Sequence, residues 1–260
     1  MGHIHLGVLP KTKKWREVVG AIIEGSPDRQ IVAASARAAE NDLLSAANDP
    51  VFVEAVRLLL SIPLAARASD FGDGLRNLDL QVGASPGLFE IVAASMARLD
   101  EVARESIRST DLGELAARSF AQTLNESISA DLPGLFEATP EDVQAVIRRL
   151  SYSKGIAAFS RAYFGNLVAA SLSYWLDRTL SLQVGPDRRF ESVSRRTEFD
   201  VALRQYTSEA TRIIQEFAGG WYGKTLHEAG RFGAHEAQIF GAVALRKITE
   251  GLRVRWVDDV

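Results

Sequence analysis

Apolar side chains recur along most of this chain at intervals of three and four residues, the period of an α-helix with one buried face. Thr12 is placed to cap a first helix in which Trp15, Val18, Val19 and Ile22 fall on one side. Further helical stripes run from Leu88 to Ile107, Leu112 to Ile128 and Val143 to Leu150. A long helix is predicted over about Lys154 to Leu182, because Phe159, Tyr163, Leu167, Ala170 and Tyr174 share one face. Phe199, Ala202, Leu203, Tyr206, Ala210, Ile213, Ile214 and Phe217 form one continuous stripe, and Ala237, Phe240, Ala244, Ile248 and Leu252 form another.

Start signals reinforce the pattern. Ser26-Pro27, Asp49-Pro50, Ser85-Pro86 and Thr139-Pro140 each pair a capping residue with proline, whose missing N–H is harmless in the first turn. Glu141 and Asp142 then add two carboxylates beside the positive end of a helix dipole. Only two segments read as extended: His3 to Leu9, and Leu252 to Val257, in which Leu252, Val254 and Trp256 alternate. Such segments suit pairing with each other or addition to a partner's sheet. The expected fold is all-α, a multi-helix bundle of about eight to ten helices with short extended segments at both termini. The Gly- and Asp-rich run near DFGDG marks a boundary. It divides the chain into an N-terminal helical subdomain (1–68), a connector (69–84) and a main helical domain (85–260).

Composition narrows the chemistry. The chain has 260 residues, 47% of them hydrophobic, and a formal net charge of -3, ordinary globular material with no basic excess to announce nucleic acid. It contains no cysteine, which removes disulfides, thiolate nucleophiles and Cys-based zinc sites. The N-terminal stretch lacks the apolar core of a secretory signal, and the longest uncharged run, Ala162 to Leu176, is too short and too polar to span a bilayer. A cytoplasmic protein without a membrane partner is expected, and the abundance of Ala and Arg hints at a bacterial source.

Ala218 to Thr225, AGGWYGKT, fits the relaxed phosphate-loop pattern. A phosphate loop leaves a buried strand and enters a helix, whereas this octet follows a helical stripe. Gly219 and Gly220 therefore read as a helix stop, with Trp221 and Tyr222 anchoring the turn. His227 and His235 lie about two helical turns apart, too far for two ligands of one zinc on a helix. His3 and His5 could point the same way from an extended segment but have no acidic neighbour. Asp70 and Asp73 fail the calcium-loop spacing and suit a turn. Ser151-Tyr152-Ser153-Lys154 resembles an acyltransferase tetrad without its companion motifs, so Ser151 or Ser153 is expected to cap a helix. The aromatic stripe Phe159, Tyr163, Tyr174 and Trp175 reads as core, and Ala157, Ala162, Ala169 and Ala170 as sites of close helix packing.

The connector DRRFESVSRR concentrates arginine between Arg178 and Arg204. Arg suits forked contacts with phosphate or carboxylate, so Arg188, Arg189, Arg195 and Arg196, together with Lys224, are candidates for a phosphate or an acidic partner. Local carboxylates at Asp187, Glu191 and Glu198 offer the plainer account of their charge. Trp221, Tyr222 and Trp256 are candidate partner contacts. No catalytic constellation, metal set or cofactor motif is legible. The reading that results is a non-enzymatic interaction or scaffold subunit of a larger bacterial assembly, for which a defence- or toxin-linked operon is one setting. The alternatives are a nucleic-acid-associated protein using Arg178 to Arg204, and an enzyme whose site is assembled from residues distant in sequence.

Overall fold

The computed structural model describes residues 12–106, 110–133 and 138–258, with side chains as far as Leu252. The periodic stripes form helices: α1 (Lys13–Ile23), α2 (Asp28–Ser45), α3 (Pro50–Ala65), α4 (Phe71–Arg76), α5 (Leu88–Glu105), α6 (Asp111–Ser129), α7 (Pro140–Leu150), α8 (Ser153–Leu180), α9 (Val193–Ala210), α10 (Arg212–Ala229) and α11 (Ala234–Asp258). The protein is an all-α multi-helix bundle, without a strand among the described residues.

Helix starts follow the capping chemistry. Thr12 accepts from the Trp15 N–H to open α1, and Asp49 accepts from the Val51 and Phe52 N–H groups to open α3. Thr139 and Asp142 form a reciprocal capping box at α7. The other two proline signals are displaced by one or two residues. Pro27 itself occupies the cap of α2, and Gly87 caps α5 beyond Pro86.

The 28-residue α8 is the axis of the bundle. It packs against α2, α6, α9 and α10, while α11 closes the far side on α2 and α3. Phe164 of α8 sits 6.3 Å from Phe52 of α3 and 6.1 Å from Phe240 of α11, ring centre to ring centre, joining three helices through edge and tilted aromatic contacts. Within the 69–84 segment, Phe71, Leu75 and Leu80 are buried in the same core.

Three expectations change. Residues 252–258 continue α11 and form no strand. The physical reason is that Trp256 also follows Ala244, Ile248 and Leu252 at four-residue steps, so a helix already nucleated upstream propagates through the segment. The other proposed strand, His3 to Leu9, with His3 and His5, lies outside the described residues. The second change is at AGGWYGKT, which lies inside α10, while the chain breaks earlier, at Thr211. There the Thr211 hydroxyl donates to the carbonyls of Thr207 (3.0 Å) and Ser208 (3.1 Å), competing with the backbone ladder. The glycine that ends α10 is Gly230, at φ 70°. The third concerns Ser151 and Ser153. Tyr152 occupies the cap of α8 with no side-chain bond, and the Ser151 hydroxyl instead receives Arg67 Nε at 2.7 Å.

Candidate functional site: a cationic groove beside α8

The arginines of the connector do not form one surface. Arg189 keeps only 9% of its side chain exposed and donates to the Ser26 carbonyl and Asp28 Oδ1, both at 2.6 Å. Arg196 bridges Asp177 and Asp200 and lies over the Phe199 ring. Arg195 pairs with Glu198 at 2.8 Å on the surface, and only Arg188 extends outward without a side-chain partner among the described residues. A cleft of about 510 Å³ does open at Arg188, Arg189 and Arg195, but Asp28, Glu191 and Glu198 line it too. Its charges are balanced within the protein. Upstream, Arg178 stacks on the rings of Tyr174 (4.1 Å) and Trp175 (4.4 Å), a cation–π arrangement within one helix.

The other candidates are placed differently. Tyr222 is 2% exposed, stacked on Phe232 with ring centres 4.6 Å apart, and its hydroxyl donates to the Leu60 carbonyl at 3.3 Å. Burial pushes its phenol up to about 12, against a smaller opposing effect of Arg67. Trp221 is half-buried, 4.7 Å from the Phe240 ring. Both side chains fill the interior between α10 and α11. Lys224 stands on the surface of α10, 3.9 Å from Glu228. Because the octet is helical, its interior N–H groups are engaged along the axis and cannot converge on a phosphate. Trp256 belongs to the helical backbone of α11, and its side chain lies outside the described residues. His227 and His235 fall on separate helices, α10 and α11.

A different feature collects open polar surface. A groove of about 490 Å³ runs along α8 where it faces the α9–α10 junction. Its floor is Ala158, Ala162, Gly165 and Ala169, at steps of four, three and four residues, which place them on one face of the helix. Its wall is Arg204, Thr207, Ser208, Thr211 and Gln215. Arg161 crosses to that wall, donating to Gln215 Oε1 at 2.9 Å and the Ser208 carbonyl at 3.1 Å. With the Thr211 hydroxyl it thereby shares a carbonyl left over where α9 ends. Arg204 is exposed and has no side-chain partner among the described residues. Arg161 and Arg204 are the ionisable residues of the lining, and no carboxylate accompanies them.

Ala162 and Ala169 are legible in the sequence as packing positions, but the groove is not. The signal was present in Gly165, a residue unfavourable inside a long helix. A Cβ there would meet Thr211 Oγ1 at 3.5 Å, ordinary contact, so packing within the protein does not demand glycine.

No helix among the described residues is long and apolar enough to cross a membrane, and none of their His, Asp and Glu side chains gather in threes to hold a metal ion. No protein-family model matches the chain, and neither the curated proteins nor the solved structures contain a significant match.

Proposed function

We propose that this protein is a non-enzymatic interaction subunit of a cytoplasmic bacterial assembly, and that the groove beside α8 is the face it offers to another protein chain. One observation carries the reading: a long, small-residue channel whose lining holds two arginines and no carboxylate. Small side chains let a second backbone approach closely, and the unmatched cations favour a complementary partner.

The nucleic-acid alternative is less well supported. It relied on the connector arginines, and Arg189 and Arg196 are occupied by internal carboxylates. Arg178 is occupied by aromatic rings.

A photo-reactive phenylalanine analogue placed at Ala162 tests the reading in the native host. The expected result is an adduct with one protein of defined mass. The same analogue at Phe89, an exposed position on α5 outside the groove, should give none. Absence of an adduct at position 162, or equal labelling at both positions, refutes it.

A further inference from the structure

We infer that the occupant of the α8 groove is an amphipathic helix with a small-residue face bordered by acidic side chains. This inference rests on the interaction-subunit reading and adds the chemistry of the partner.

The dimensions favour a helix. From Ala158 to Ala169 the floor covers eleven residue steps of α8, roughly 16 Å, about three turns of a docked helix. All four floor residues are Ala or Gly, so the approach is limited by backbone and not by side chains. Gly165 is the barest position of the floor, and since internal packing tolerates a methyl there, its bareness serves the open side. The wall extends beyond the groove. On α9, Val193, Thr197, Val201, Arg204 and Ser208 lie within one helical face, at steps of four, four, three and four. Val193 and Val201 remain 73% and 60% exposed. The groove thus continues into an apolar ledge along α9, which a second helix could cover and a compact small molecule could not.

The charges favour an acidic partner. Arg204 has no side-chain partner among the described residues, and Arg161 uses neutral acceptors, the Gln215 amide and the Ser208 carbonyl. Neither guanidinium is neutralised within the lining. Glutamate or aspartate on the borders of the incoming helix would complete both as charge-assisted bonds. A basic helix would be repelled.

The test uses the full chain and two designed peptides, each roughly 18 residues long and alanine-rich on one face. One carries glutamate at the borders of that face and the other lysine. Fluorescence anisotropy at low salt should show the glutamate peptide binding at least about tenfold more tightly than the lysine peptide. Arg204→Glu should reverse that order, and Ala162→Trp should weaken both. Both positions are exposed, and unchanged melting of the two variants confirms that they are folded. Equal binding of the peptides, no binding of either, or indifference to Ala162→Trp and Arg204→Glu overturns the inference. Binding of a polyuridine probe that is lost in Arg204→Glu, with neither peptide bound, replaces the helix with nucleic acid. If photo-labelling at Ala162 still captures one protein while the glutamate peptide fails, the partner chemistry is wrong and the interaction reading survives. If labelling also fails, both fall.

Discussion

Asp49 and Thr110, sixty-one residues apart, are joined by a single carboxylate that opens two helices at once. Asp49 Oδ1 accepts the Val51 and Phe52 N–H groups of α3 at 2.8 and 3.1 Å, while Oδ2 accepts the Thr110 N–H at 3.0 Å and its hydroxyl at 2.7 Å. Thr110 in turn caps α6 by accepting the Gly113 N–H at 3.2 Å. With Asp49 only 3% exposed, its removal leaves the buried Val51 and Phe52 N–H groups without a partner. Asp49→Ala should therefore lower unfolding free energy by about 3–4 kcal/mol, well beyond the ~1 kcal/mol of an exposed cap. Thr110→Val should lose about 1–2 kcal/mol. Urea titrations of the two single variants and the double variant should show a coupling above about 0.5 kcal/mol, whereas simple additivity would refute the shared role.

Beside this staple, the Tyr163 hydroxyl is fully buried and has no hydrogen-bond partner among the described residues. Burial, and after it the negative charge of Asp49, hold its phenol far above the ordinary range. A hydroxyl of this kind opposes folding, since it leaves water without gaining a bond. Tyr163→Phe should raise stability by about 0.5–1 kcal/mol. A loss of stability on the same titration would show that the hydroxyl is satisfied after all.

Glu54 organises a second charge centre. It receives Arg57 through both oxygens at 2.7 Å and Arg98 Nε at 3.0 Å, tying α3 to α5, and Arg57 also donates to the Leu78 carbonyl at 2.9 Å. Burial pushes its carboxyl up, but the hydrogen bonds and charges of Arg57 and then Arg98 outweigh this, and the pKa ends below the ordinary value of 4.5. Because the folded-state pKa is the lower one, the stabilisation is complete above the unfolded value. It is lost as pH falls through the folded value. Melting temperature should decline as pH drops below about 4.5, and Glu54→Gln should flatten that decline. At neutral pH the same variant should lose about 2 kcal/mol, since Arg57 and Arg98 lose their buried counter-charge and keep only the exposed carboxylates of Asp79 and, for Arg98, Glu101. An acid limb identical to the parent's would reject this assignment.

Much of the fold was legible because its signals are local. A stripe from Phe159 to Tyr174 and a capping Thr139 ahead of Pro140 each need only a few neighbouring residues, and both appear in the structure. The break at Thr211 was hidden because the apolar stripe stays in phase across it, from Phe199 to Phe217. At the C-terminus, Leu252 to Val257 satisfies a two-residue and a four-residue period together, and the preceding helix decides between them. The contacts of the connector arginines stayed hidden for another reason. Their partners are not all local: Arg189 reaches Ser26, 163 residues away, and Arg196 reaches Asp177. The groove at Ala162 and Gly165 was out of reach because small residues mark close packing without saying which neighbour, if any, covers them.

The glycines of AGGWYGKT now separate by what surrounds them. A Cβ on Gly219 would lie 2.3 Å from Ser153 Oγ and 2.5 Å from its carbonyl oxygen, whereas Gly220 and Gly223 have nothing within 4 Å. Gly219 permits α10 to cross the start of α8, and the other two only weaken the helix. Gly219→Ala should cost about 1–3 kcal/mol. Gly220→Ala and Gly223→Ala should each gain up to about 1 kcal/mol by helix propensity. Thermal melts of the three variants check this, and a stabilising Gly219→Ala would remove the proposed contact. Lys224→Ala should leave melting in the presence of ATP unchanged, because the helical octet has no phosphate cradle.

Arg188 and Arg189 are sequence neighbours with opposite roles, and this determines how the connector must be probed. Arg189 ties the connector to the start of α2 through Ser26 and Asp28, so Arg189→Ala should lower stability by about 1–2 kcal/mol, the lower part of the range for hydrogen bonds of a charged group, because both acceptors keep partial access to water. Arg188 touches no side-chain partner among the described residues, and Arg188→Ala should stay within about 0.5 kcal/mol of the parent. Reversing the charge of all four connector arginines would therefore damage the fold and confound any binding assay. Arg188→Glu combined with Arg195→Glu changes the surface alone, since the Arg195–Glu198 pair is exposed on both sides and such pairs contribute little. If that double variant keeps its melting temperature and its affinity for a polyuridine probe is the same as the parent's, the connector has no role in nucleic-acid binding. A steep, salt-sensitive loss of binding in the folded double variant would restore one.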